Sequence, residues 1–157
     1  MKAASLSEIK KELEGLPPKQ VLELCMRLAK HKKENKELLT YLLYEAGDEA
    51  AYVKNIKEDA DVLFTEVNTS NVFFAKKTLR KILRIFNKYS KFSGSKQTET
   101  ELLIYFCRKL KESGLAIEKS QILINMYARQ ILKIKLSISK MHEDLQYDYL
   151  KELEGLG

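Results

Sequence analysis

The sequence predicts an all-α fold, and three observations carry that prediction. Two prolines and six glycines among 157 residues leave few breaks in regular structure. The helix formers Leu, Lys, Glu and Ala dominate the composition. Apolar residues recur at helical spacing, and few segments alternate polar with apolar. Helical stretches are joined by short connections, so neighbours should pack antiparallel. Six or seven antiparallel helices are expected, as a compact bundle or a short stack of helical hairpins. An apolar share of 45% is ample for a core, and no linker divides the chain, so residues 1–157 are expected to form a single helical domain.

The first helix opens at Ser5, with Glu8 placed for a reciprocal capping box. Ile9, Leu13 and Leu16 give it an apolar side, and Gly15 suits its end. Pro17 and Pro18 block continuation and suit the first turn of the next helix. From there to Ala46 the apolar pattern (Val21, Leu22, Leu24, Cys25, Leu28, then Leu38, Leu39, Leu42, Leu43) is bridged by the charged AKHKKENKE. That pattern fits one bent helix or two. Asp48 caps a helix reaching about residue 67, with Ala51, Tyr52, Ile56, Ala60, Leu63 and Phe64 facing inward. NTSN is a turn, and a basic helix follows over 71–92 until SGSKQ breaks it. Thr98 with Glu101 predicts a capping box for the next helix, which Gly114 ends. A helix over 117–141 is apolar over so wide an arc that it is expected at the centre of the packing. The last helix covers 143–153, with Tyr147 and Tyr149 as its anchors. The string KELEGL occurs at 11–16 and 151–156, but the flanks share no period, so it marks two similar helix ends.

Charge is distributed unevenly. The chain carries a net +6, yet residues 47–68 hold two lysines against six acids, and residues 69–97 hold eight basic residues and no acid. On the 71–92 helix the cations fall within an arc of roughly 140°, opposite Val72, Ala75, Leu79, Ile82, Leu83, Phe86 and Tyr89. Lys77, Arg80, Lys81, Arg84, Lys88 and Lys91 are the candidate contacts for an anion or a nucleic acid. Arg108, Lys109 and Lys111 extend that patch if the following helix lies alongside. Three readings stand together here: a solvated face neutralised by the acidic helix before it, an RNA or DNA surface, and a face for a protein or membrane. Aromatic side chains for base stacking lie only at the two ends of the stripe, as Phe73 and Phe92.

No catalytic, cofactor or metal site is expected. His31 and His142 are the only histidines, and neither has a second ligand at metal spacing. Cys25 and Cys107 are isolated in apolar stretches and read as buried reduced thiols. GSKQT lacks the glycine frame of a phosphate loop and follows no strand. The N-terminal residues hold no apolar segment of signal-peptide length, and no apolar run approaches the roughly 18 to 20 residues of a membrane span. A cytoplasmic location, without membrane association, is the expectation.

Three stretches also resemble a family of small, uncharacterised, all-helical bacterial proteins: LAKHKKENKELLTYLL at 28–43, SGSKQTETELLIYFC at 93–107 and MHEDLQYDYL at 141–150. The resemblance implies a bacterial cytoplasmic protein and assigns no site or mechanism. Together these features predict a non-enzymatic binding or scaffold protein acting through a protein partner. Nucleic-acid binding through the basic helix is the alternative.

Overall fold

The computed structural model describes residues 1–156. Among them are eight α-helices and no strand, so the all-α class holds with one or two helices more than expected. In chain order they are α1 (Leu6–Glu14), α2 (Pro18–His31), α3 (Lys33–Thr40), α4 (Glu49–Thr65), α5 (Val72–Ser93), α6 (Lys96–Glu112), α7 (Gln121–Ser139) and α8 (Glu143–Glu154). Where the sequence shows no linker, contacts divide the chain into two compact units, Met1–Tyr44 and Glu45–Gly157.

The first unit is assembled from local signals. Ser5 and Glu8 form the expected reciprocal box at the start of α1, with Glu8 accepting from the Ser5 backbone N–H at 2.7 Å. Pro17 precedes α2 in extended backbone and Pro18 takes its first position. The span left open between one bent helix and two resolves into two. Lys32 is extended (φ −141°, ψ 144°) and separates α2 from α3. The Asn35 amide donates to the Leu28 carbonyl at 2.8 Å, satisfying an acceptor that the end of α2 leaves open. A π-helical turn, Tyr41–Glu45, follows α3.

The second unit holds almost all of the buried apolar surface. Its central helix is α6, which packs on α4, α5 and α7 and buries Leu102, Leu103, Ile104, Phe106, Cys107 and Leu110. Centrality was expected of the 117–141 stretch instead. That stretch begins as a 3-10 turn at Ile117–Lys119 and continues as α7, whose Leu132 and Leu136 lie exposed. A wide apolar arc therefore did not translate into burial on all sides. Thr98 is also reassigned. Gly94 ends α5 in left-handed backbone (φ 69°), Ser95 caps α6 by accepting from the Thr98 N–H, and Thr98 lies inside the helix. Its buried hydroxyl donates to Glu49 at 2.6 Å, and Ser93 donates to the same carboxylate. One acid of α4 thus gathers the α5–α6 turn. Of the two expected anchors on α8, Tyr149 is buried and donates to Glu101 at 2.8 Å, whereas Tyr147 is exposed.

Candidate functional site

The basic helix forms much as its sequence requires. Asn71 accepts from the N–H groups of Phe73 and Phe74 and starts α5. Ala75, Leu79, Ile82, Leu83 and Phe86 are buried on one side, which turns the cations to the other. Lys77, Arg80, Lys81, Arg84 and Lys91 are exposed; Lys88 is half-buried and lies over the Tyr89 ring at 5.0 Å.

Whether α4 neutralises this face is answered by where its acids go. Asp61 accepts from Tyr105 and pairs with Lys109 at 2.9 Å, both on α6. Glu58 pairs with Lys54 on its own helix. Glu49 serves Ser93 and Thr98. Glu66 borders an open concavity of about 440 Å³ with Lys77, Thr78, Arg80, Lys81 and Arg84. None of Lys77, Arg80, Lys81, Arg84 and Lys91 has an acid within 4.0 Å among the described residues. Of these acids Asp61 is committed to α6, Glu58 to its own helix and Glu49 to the α5–α6 turn, while Glu66 stays beside the stripe as its one acidic neighbour in that recess.

The patch does not grow in the direction the sequence suggested. Arg108 pairs with Glu152 at 3.0 Å, Lys109 with Asp61, and Lys111 donates to the Leu156 carbonyl. Those three cations are engaged within the fold. The extension comes from α7. Arg129, Asn125, Ile122, Met126 and Gln130 share a concavity of about 200 Å³ with Arg80, which borders both recesses. One turn further along, Lys133 donates to Asn87 of α5 at 2.8 Å. Asn125, Arg129 and Lys133 recur at four-residue spacing, a one-face signal that sequence reading passed over.

Past Lys133 the character changes. Burial pushes the Glu99 carboxyl up, but hydrogen bonds from Lys96 and Ser137 and the charges of Lys96 and Lys133 outweigh it and hold the group below its ordinary range. This acid marks the end of the cationic strip.

A second feature lies in the first unit. Tyr41 is its one buried residue among those described. Leu22, Leu28, Leu42 and Leu43 are exposed at 61%, 63%, 56% and 64%. Between α2 and α3 runs an open groove of about 230 Å³ lined by Cys25, Leu28, Ala29, Asn35, Leu38, Leu39 and Leu42. The sequence marked most of these positions as the apolar side of a helical pattern; the structure leaves Leu28, Leu38 and Leu42 exposed and Cys25, expected to be buried, only half-buried.

Burial pushes the Cys107 thiol up to about 12, so no thiolate forms near neutral pH. The His142 ring accepts the Asp144 N–H at 3.3 Å as a helix cap. Among the described residues no group of three or more His, Cys, Asp or Glu side chains is placed to hold a metal ion, and no helix is long and apolar enough to cross a membrane. No protein-family model, curated protein or solved structure matches the chain.

Proposed function

We propose that this is a non-enzymatic helical binding module that receives an amphipathic helix of a partner protein in the groove between α2 and α3. The observation that carries the proposal is the uncovered leucine surface. Leu22, Leu28, Leu42 and Leu43 are each more than half exposed, Leu28 and Leu42 lining the groove itself, and among the described residues no other segment carries as many exposed leucines. Apolar patches of this kind mark interaction sites on soluble proteins. The groove is open and bordered by two helices, which suits apolar anchors repeating every three or four residues along a third. A bacterial cytoplasmic setting belongs to the same proposal, supported by the family resemblance of 28–43 and by two cysteines without a disulfide.

Photo-crosslinking in cells tests it. A benzophenone amino acid at Leu28 or Leu42 is expected to yield one specific adduct with another protein, and the same probe at Glu118 none. Adding Leu22→Glu and Leu43→Glu should abolish the adduct while leaving the circular dichroism of the chain unchanged. Absence of any adduct at Leu28 and Leu42, or an adduct only with a second copy of the chain, overturns the reading.

A further inference from the structure

We propose that the strip formed by α5 and α7 binds the phosphodiester backbone of a nucleic acid, independently of whether a protein occupies the α2–α3 groove. The strip joins Lys77, Arg80, Lys81, Arg84 and Lys91 of α5 to Arg129 of α7, all exposed. Arg80 and Arg129 line one recess, so the two helices contribute to a single surface. The Lys133–Asn87 hydrogen bond pins α7 to α5 beside it. From Lys77 to Lys91 the strip runs about 21 Å at 1.5 Å per residue, long enough to meet several successive phosphates. Arginine offers a planar fork that suits phosphate oxygens, and the amides of Asn125 and Gln130 add neutral donors at its edge.

Two features favour nucleic acid over other polyanions, and a third sets the mode of contact. Apart from Phe73 and Phe74 in its first turn, the apolar side of α5 is buried against the core, so the helix lacks the continuous apolar face that a membrane-surface helix inserts into a bilayer. The cations repeat along a line rather than gathering round one point, which matches a polymer of evenly spaced charges. Both recesses beside Arg80 are lined without an aromatic ring, so contact is to the backbone rather than to stacked bases, and binding is indifferent to sequence.

Fluorescence anisotropy with mixed-sequence 20-mers, single- and double-stranded, RNA and DNA, tests the proposal on the full chain. With about five phosphate contacts the log–log salt slope is near −3.5 for single strands and −4.5 for duplex, so affinity falls about 100-fold or more between 50 and 200 mM salt. Arg80→Gln with Arg84→Gln should lower the steepness by about 1.4 to 1.8, and Arg129→Gln by about half as much. Arg108→Gln, which removes a cation already paired with Glu152, should leave the slope unchanged. Circular dichroism confirms that each variant remains helical. No binding at 50 mM salt overturns the proposal. So does a slope unaffected by Arg80→Gln and Arg84→Gln, or an equal loss with Arg108→Gln. Binding to phosphatidylserine vesicles or to polyglutamate as tight as to the 20-mers also overturns it, by assigning the strip to a different class of polyanion.

Discussion

Single side chains set much of what this fold does with its charge. Asp61 illustrates it: burial raises its pKa, yet the Tyr105 hydroxyl and Lys109 together hold it below the ordinary range. Glu99 behaves the same way through Lys96, Ser137 and Lys133. A carboxyl whose folded pKa is depressed contributes stability above its ordinary value, here 4.5, and loses that contribution as pH falls through the folded value. Replacing Glu99 with Gln should therefore flatten the fall of the thermal midpoint between about pH 6 and pH 3. An unchanged acid slope would contradict the assignment. At this scale the sequence was partly legible. Ser5 with Glu8, Asp48 and Asn71 cap their helices as expected, because capping needs only residues within one turn. Thr98 was misread for a related reason: Ser95 and Thr98 are both good caps, and Gly94 decides between them by ending α5 one residue before Ser95.

Helices differ in how much of their placement their own sequence fixes. The amphipathic division of α5 could be read directly, since its buried and exposed sides are set by spacing alone. What lies beside its charged side could not. The rotation of α4 aims Asp61 at Tyr105 and Lys109, and that rotation follows from which apolar side chains of α4 pack on α6. Lys109 and Arg108 look like free cations in the sequence; they are paired because α4 and α8 bring acids to them. The break between α5 and α6 is better determined. Gly94 holds φ 69°, and an added Cβ would meet nothing within 4 Å, so backbone strain alone opposes a side chain there. Gly94→Ala should cost about 1–2 kcal/mol, with Gly94→Asn costing less because asparagine tolerates this conformation. Chemical denaturation measures both. Equal stability of Gly94→Ala and the natural chain would show that the turn is not held in this backbone state.

The whole molecule divides into a well-buried unit, Glu45–Gly157, and a unit, Met1–Tyr44, whose helices are regular and whose leucines are mostly exposed. The sequence showed the apolar stripes of α1, α2 and α3 but not that they are uncovered, because periodicity says which side of a helix is apolar and not whether anything meets it. Isolated helices of this length are marginal in water without tertiary packing. The first unit should therefore open far more readily than the second when no partner is present. Amide hydrogen exchange of the isolated chain reads this residue by residue. The uncovered surface predicts rapid exchange throughout 6–40 and strong protection across 102–110 and 123–138. Protection of α2 and α3 equal to that of α6 would mean the leucines are already covered in the chain by itself, and would contradict the account.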